Sequence, residues 1–212
     1  MEQDLFLDFL KSYKNNRKFY KTIKILSKSS EKDPRYVLDN NVRMLSCDKF
    51  SEIIHKQLLK DDSSHCQHSS VDALYYFFTP ENELKLIFVE FKHISSEEKN
   101  KYEEKLDIFR NELKIKPLES LSCIFPHLID KYCKENNLTI EENKLLKSFL
   151  FKCPKAYYCV IKDSAQTNDD HAHAILNQDL VDIKRLSKYP FNPVDLMTPK
   201  GFEEYIKFKF GF

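Results

Sequence analysis

Two apolar runs separated by a turn form the clearest hydrophobic pattern in the chain. Residues 71–78 (VDALYYFF) and 84–92 (LKLIFVEFK) are rich in aromatic and branched side chains, and residues 80–82 (PEN) lie between them. Runs of this kind predict β-strands, and the short polar connection predicts that the two strands pair as a hairpin. A third run, residues 155–161 (KAYYCVI), predicts another strand.

Helical patterns occupy much of the remaining chain. Apolar positions 50, 53, 54 and 58 follow Asp48, which predicts a helix over residues 48–60 with Asp48 as its N-cap. Further helices are predicted at residues 95–114, at 116–134 with a kink or a restart near Pro126, at 139–151 and after Thr198. This order of helices and strands predicts an α/β fold, in which a mixed β-sheet is flanked by helices.

The length of 212 residues suits a single domain. Within it we expect a helical N-terminal extension over residues 1–47, a core over residues 48–165 and a mainly helical tail over residues 166–212. Residues 29–47 carry turn signals and are predicted to connect the extension to the core.

Basic residues are concentrated near the N-terminus, where residues 9–30 contain no acidic side chain. The basic positions 11, 14, 17, 21, 24 and 28 are three or four residues apart, which predicts one face of a helix. Such a face can bind a phosphate backbone. The candidate nucleic-acid contacts are Lys14, Arg17, Lys21 and Lys24. A solvated lysine face is the alternative, and a membrane-surface helix is a third reading, which the absence of tryptophan disfavours.

The composition narrows the class of protein. Hydrophobic residues make up 42% of the chain and the mean hydropathy is −0.55, which predicts a soluble globular protein. Only two glycines occur, so phosphate loops and dinucleotide-binding motifs are excluded. The six cysteines include no Cys-x-x-Cys pair, and the first residues do not resemble a signal peptide, so we expect reduced thiols and a cytoplasmic location.

Charged residues interrupt the apolar hairpin at one end. Asp72 stands at the start of the first strand, and Glu90 and Lys92 near the end of the second, where they share a face because strand side chains alternate. Pairing would bring the three together, and two carboxylates with a lysine can hold a hard divalent cation and position a water. A purely structural role is the alternative, but a buried Glu90 costs free energy unless it has a partner.

Asp72 followed by Glu90-x-Lys92 resembles the signature of the PD-(D/E)XK nuclease superfamily over residues 48 to 125, with Val71 in place of the family's proline. The resemblance implies a restriction-endonuclease-like core and a metal-dependent nuclease that hydrolyses phosphodiester bonds, with DNA favoured over RNA. It implies that Asp72 and Glu90 bind Mg²⁺ or Mn²⁺, helped by Glu52 on the preceding helix. Lys92 would complete the catalytic site.

The same resemblance points to a helix after the Glu-x-Lys strand, which in this superfamily often adds a polar or basic residue. Lys116 and Ser120 are one helical turn apart in the matching place and are candidate phosphate contacts. The alternative function is a nuclease-like fold that has lost its chemistry and binds nucleic acid or protein. We expect a nucleic-acid partner and no membrane, and homo-oligomerisation stays open.

Overall fold

The protein folds around one mixed β-sheet with helices packed on its faces. The computed structural model describes residues 1–28, 36–61, 69–94, 102–163 and 190–210. The helices are α1 (Glu2–Lys14), α2 (Ile23–Leu26), α3 (Cys47–Asp61), α4 (Tyr102–Glu119), α5 (Phe125–Glu135), α6 (Ile140–Lys152) and α7 (Pro199–Phe210), and a π-helical turn, Ser120–Ile124, joins α4 to α5. The strands are β1 (Tyr20–Thr22), β2 (Arg43–Ser46), β3 (Ala73–Phe78), β4 (Leu84–Ile94), β5 (Lys155–Asp163) and β6 (Val194–Met197).

The six strands lie side by side in chain order. Strands β1 to β4 pair antiparallel, whereas β5 lies parallel to β4 and β6 lies parallel to β5. A parallel pair needs a long crossover connection, which helices α4, α5 and α6 provide between β4 and β5. The predicted α/β fold with a mixed sheet flanked by helices is therefore confirmed.

The predicted hairpin is also confirmed, and its register fixes which residues share a face. Ala73 pairs with Val89, and the ladder runs to Phe78 opposite Leu84. Asn82 in the connecting turn has a φ of 61°, in the left-handed region that asparagine adopts more readily than most residues. Because the register places Asp72 beside Glu90, their side chains lie on the same face of the sheet.

The two faces of the sheet bury separate apolar clusters. On one face Leu86 and Phe88 of β4 pack with aromatic residues of α1, α3 and α5, among them Phe50. On the opposite face Ile87 and Val89 pack against helix α7. Since side chains alternate along a strand, Glu90 continues the row of Leu86 and Phe88 and projects toward the first, larger cluster.

The predicted helix across residues 11–28 is wrong. Helix α1 ends at Lys14, and the chain then makes a turn before it forms β1 and the four-residue α2. In that turn the Asn16 side chain accepts a hydrogen bond from the backbone N–H of Lys18 at 2.9 Å, a local bond that favours a turn over a helix. Residues 1–47 also contribute strands β1 and β2 to the sheet, so this part of the chain is more than the helical extension that we predicted.

A second difference concerns the helix that we predicted to begin at Lys116. Helix α4 instead continues through Pro117 to Glu119, and the π-helical turn follows directly. A proline inside a helix removes one backbone donor, and the wider π-helical turn comes immediately after it. Pro126 lies in the first turn of α5, where the missing donor has no cost, so a helix restarts near Pro126, the second of the two outcomes that we predicted there.

The C-terminal part adds the unpredicted strand β6 to the predicted final helix, α7. The rest of the predicted helical tail, residues 166–189, and the start of the helix predicted at residue 95 lie outside the described residues. In the described ranges, no helix is long and apolar enough to cross a membrane.

Candidate functional site

The candidate site is centred on Glu90, which is 0% exposed near the end of β4. Its Oε1 accepts a hydrogen bond from Lys116 Nζ at 2.7 Å and lies 3.1 Å from Lys92 Nζ. Its Oε2 is buried and has no hydrogen-bond partner among the described residues. Because buried carboxylate oxygens are normally hydrogen-bonded, this unpartnered oxygen is a place where a ligand can bind.

Lys92 joins Glu90 to a second carboxylate, Glu112 of α4, whose Oε2 accepts a hydrogen bond from Lys92 Nζ at 2.7 Å. Burial lowers the pKa of Lys92, but the charges of Glu90 and Glu112 raise it more, so the pKa lies above its ordinary value. Burial likewise raises the pKa of Glu112, and the hydrogen bond and charge of Lys92 outweigh it, so that pKa is lowered. The pair is therefore fully ionised at neutral pH.

Asp72 lies immediately before β3, and its Oδ2 accepts a hydrogen bond from the backbone N–H of Phe91 at 2.6 Å. Burial raises the pKa of Asp72 well above its ordinary value, and the negative charges of Glu90 and Asp48 add to this effect. The charge of Lys116 and the Phe91 hydrogen bond offset only part of it. Two neighbouring carboxylates with incomplete charge compensation favour the binding of a cation.

The structure adds a fourth carboxylate, Asp48, which the sequence marked only as a helix cap. The backbone N–H of Cys47 donates to the carbonyl of Asp72 at 3.1 Å, and Ser70 Oγ donates to Asp48 Oδ1 at 2.7 Å. These bonds hold the start of α3 against the chain that leads into β3. Neighbouring protein atoms displace solvent from Asp48 and raise its pKa, although the Ser70 hydrogen bond and the charge of Lys116 act in the opposite direction.

Glu52, the helix residue that the nuclease resemblance suggested as a metal ligand, lies one turn beyond Asp48 on α3. Its side chain is 41% exposed and pairs with Lys49 of the same helix. The hydrogen bond from Lys49 lowers the pKa of Glu52, and the charges of Lys49, Lys56 and Lys21 contribute although partial burial acts against them. Cys47 and Asp48, at the start of α3, therefore make the hydrogen bonds to the segment before β3. Glu52 instead pairs with Lys49.

The two candidate phosphate contacts of the helix after β4 have different environments. Lys116 comes from the last turn of α4, pairs with Glu90 and lies 4.0 Å from Glu112. Ser120 is 0% exposed, and its Oγ accepts a hydrogen bond from the backbone N–H of Val71 at 3.0 Å. In this conformation the Ser120 hydroxyl has no exposed surface for a phosphate, and the phosphate contact stays a prediction. Ser120 instead holds the residue before Asp72 in place.

Two of the basic N-terminal candidates already have partners within the chain. The ammonium of Lys14 lies 5.6 Å from the ring centre of Tyr20 and 5.7 Å from that of Tyr76, which are cation–π distances. Lys24 pairs with Asp39 at 3.0 Å. These two lysines therefore stabilise local structure.

The other two basic candidates lie in the turn after α1 and in strand β1. Arg17 is exposed in the turn between α1 and β1. Lys21 lies in the edge strand β1, and its charge contributes to the lowered pKa of Glu52. Lys21 is therefore close enough to α3 for its charge to act on Glu52.

In the part of the chain that the structure describes, no group of three or more histidine, cysteine, aspartate or glutamate residues is arranged to hold a metal ion. In this conformation Glu90 and Glu112 pair with the ammonium groups of Lys92 and Lys116. The chain matches no protein-family model, no curated protein and no solved structure.

Proposed function

We propose that this protein is a metal-dependent nuclease that hydrolyses phosphodiester bonds in nucleic acid, with DNA as the favoured substrate. The observation that carries the proposal is the fully buried Glu90, whose Oε2 has no partner within the described residues although Asp72 and two lysines surround the same carboxylate. Burying an unsatisfied carboxylate oxygen is costly, and its retention favours a functional role. The resemblance of Asp72 and Glu90-x-Lys92 to the PD-(D/E)XK signature supports the same function.

The residues present fit a hard divalent cation such as Mg²⁺ or Mn²⁺. These ions prefer carboxylate oxygens, which Glu90 and Asp72 provide, and a cation would relieve the repulsion between them. Asp48, at the start of α3, would add negative charge near that cation without being one of its ligands in the conformation described. When bound, the metal supplies Lewis-acid polarisation of the phosphate and a water of lowered pKa.

The protein's own contribution is to position charge around the scissile phosphate. Lys92 keeps its proton because Glu90 and Glu112 stabilise the ammonium form, and a fixed ammonium can neutralise charge that develops on a phosphate oxygen. Glu112 holds the Lys92 side chain in place through their 2.7 Å hydrogen bond. Ser120 accepts a hydrogen bond from the backbone N–H of Val71, the residue before Asp72, and the backbone N–H of Phe91 donates to the Asp72 carboxylate.

The second candidate function is a nuclease-like fold that binds nucleic acid or protein without cleaving it. It is favoured by the ion pairs themselves, because Glu90 and Glu112 are matched in charge by Lys92 and Lys116. Carboxylates that lysines already neutralise have less need of a metal. In this case the charged group would maintain the fold or present Lys92 and Lys116 to a phosphate.

The two functions are separated by measuring cleavage of single-stranded and duplex DNA in Mg²⁺, Mn²⁺ or chelator. We expect metal-dependent cleavage by the wild type and a loss of about 100-fold or more in Asp72→Asn and Lys92→Met, because each removes a charge next to the reacting phosphate. Glu141→Gln, which alters an exposed residue of α6, is the background control and should cleave at the wild-type rate. Equal cleavage by all four proteins, or none by the wild type, would contradict the nuclease proposal.

A further inference from the structure

Lys116 occupies a special position among the charges of the site. It makes the shorter of the two lysine contacts to Glu90 Oε1, at 2.7 Å compared with 3.1 Å for Lys92. Its side chain is 17% exposed, so the ammonium lies between the buried carboxylate and solvent. The charge of Lys116 also acts on Asp72 and Asp48. One ammonium group therefore offsets the charge of three carboxylates.

The two lysines differ in how firmly they are held. Lys92 has a second close partner, Glu112, at 2.7 Å. Lys116 lies 4.0 Å from the same Glu112 oxygen, at the limit of an ion pair. If another cation took over Glu90, Lys92 would keep its Glu112 hydrogen bond, whereas Lys116 would lose its closest interaction. Lys116 is thus the lysine that can leave the carboxylate at lower cost.

We propose that Lys116 is the exchangeable counterion of Glu90: it neutralises the carboxylate in the metal-free protein, is displaced when a divalent cation binds, and then contacts a phosphate of the substrate. This inference rests on the proposed nuclease function and assigns a regulatory role to a residue of the same site. A lysine ammonium on Oε1 and a divalent ion on Oε2 of the same carboxylate repel each other and share one negative charge, so binding of the metal weakens the ion pair.

The exchange couples metal binding to nucleic-acid binding. A substrate phosphate that attracts the Lys116 ammonium leaves Glu90 with less compensation, which strengthens the binding of the metal. By thermodynamic linkage the metal strengthens the binding of the phosphate by the same factor. The protein would therefore hold its metal weakly when alone and more tightly when the substrate is bound, which limits cleavage to the assembled complex.

Calorimetric titration of the full chain with Mn²⁺ alone tests the inference without any measurement of cleavage. We expect Lys116→Met to bind Mn²⁺ roughly tenfold more tightly than the wild type, within the range of typical coupling free energies. Lys116→Arg keeps the charge and should bind no more tightly than the wild type. Lys144→Met removes a lysine of an exposed pair with Glu141 on α6 and should leave the affinity unchanged.

The outcomes separate this inference from the proposed function. If the wild type binds Mn²⁺ and folded Lys116→Met binds it equally or more weakly, Lys116 organises the site and the exchange is wrong, while the nuclease proposal stands. If only Lys116→Met binds Mn²⁺, the result supports the exchange. It also shows that the wild type does not bind the metal in the absence of substrate. If neither protein binds, both the exchange and the metal site are wrong. Thermal unfolding in chelator verifies folding, and Lys116→Gln replaces the methionine variant if that one does not fold.

Discussion

The adjacent parallel strands β4 and β5 each bury one charged residue, and the two charges are satisfied in different ways. Lys155, at the start of β5, is 2% exposed, and its ammonium donates to the carbonyls of Phe151 and Cys153 at 2.9 and 2.6 Å. Both acceptors lie at the C-terminal end of α6, where carbonyls lack helical partners and a cation is favoured. Glu90, farther along β4, is 0% exposed and keeps one oxygen without a partner in the described part of the chain.

This difference shows why burial alone does not identify a functional charge. Both residues bear the cost of removing a charge from water. At Lys155 that cost is offset by two carbonyl acceptors of the same chain, which completes a helix end. At Glu90 it is offset only in part, since the carboxylate depends on two lysines that reach solvent and leaves an oxygen free to accept. Incomplete satisfaction therefore favours a binding role for Glu90 and a structural role for Lys155.

The largest effect is expected for Glu90→Gln, measured as metal-dependent cleavage of DNA. Glutamine has the same shape but no charge, so it should bind a divalent cation poorly, and cleavage should fall about 100-fold or more. The amide oxygen still accepts a hydrogen bond from lysine, so the free energy of unfolding should change by less than about 2 kcal/mol. Cleavage by this variant at the wild-type rate would show that Glu90 has no role in the reaction. The proposed difference between a binding role for Glu90 and a structural role for Lys155 would then be wrong.

Lys155→Met should show the opposite behaviour. The methionine leaves two carbonyls without their donor, which should lower the free energy of unfolding by about 1–3 kcal/mol, while cleavage per folded molecule stays at the wild-type rate. Urea denaturation and an active-fraction assay measure the two quantities. Lys152→Met changes an exposed lysine in the last turn of α6 and is the matched control. A loss of cleavage without a loss of stability would show that Lys155 also acts on the site.

The pH dependence of the same pair of proteins tests the burial of Lys155. Burial lowers the pKa of Lys155, and the nearby Cys153 opposes this only in part. Between the lowered folded pKa and the ordinary lysine value of about 10.4, the unfolded chain binds more protons, so stability rises with pH. The stability of the wild type minus that of Lys155→Met should therefore increase toward that pH, by at most about 1.4 kcal/mol per unit. If this difference in stability does not change with pH, folding does not lower the pKa of Lys155.

The sequence predicted the hairpin because its signal is local. Residues 73–78 and 84–92 form long apolar runs around a short turn, so the register that brings Asp72 to Glu90 follows from pairing alone. Strands β1, β2 and β6 have three or four residues each, too few to show an alternating pattern. Their place in the sheet depends on pairing with strands that are distant in the sequence, and a local hydrophobic pattern does not predict such pairing.

The same distinction explains the errors around the site. Glu112 and Asp48 lie on helices, and only the packing of α3 and α4 against the sheet brings them to Asp72 and Lys92. The spacing of the basic residues suggested a helix face, but Asn15 and Asn16 end α1 and direct the chain into β1. Adjacent asparagines are a turn signal, and here this signal outweighed the periodicity of the lysines.

The smallest expected effect concerns these basic residues, and it extends the comparison from buried charges to exposed ones. Lys14 and Lys24 have partners in the chain, whereas Arg17 is exposed and Lys21 lies near α3. We expect a basic side chain to bind phosphates more strongly when no cation–π contact or ion pair within the chain competes for it. The double substitution Arg17→Glu with Lys21→Glu should therefore weaken DNA binding. Each phosphate interaction that the substitutions remove should make the slope of log affinity against log salt shallower by about one unit.

The matched variant is Lys14→Glu with Lys24→Glu, which makes the same total change in charge. It should leave the salt slope nearly unchanged and lower stability slightly instead, because it removes the two cation–π contacts of Lys14 and the exposed ion pair of Lys24, each worth about 1 kcal/mol or less. Fluorescence anisotropy with labelled DNA at several salt concentrations measures the slopes, and urea denaturation measures the stabilities. A larger change of slope in the Lys14 and Lys24 variant would show that a surface lysine can bind nucleic acid even when it already has a partner within the chain. The presence of hydrogen-bond or ion-pair partners within the chain would then separate structural charges from binding charges only where the charges are buried, as at Lys155 and Glu90.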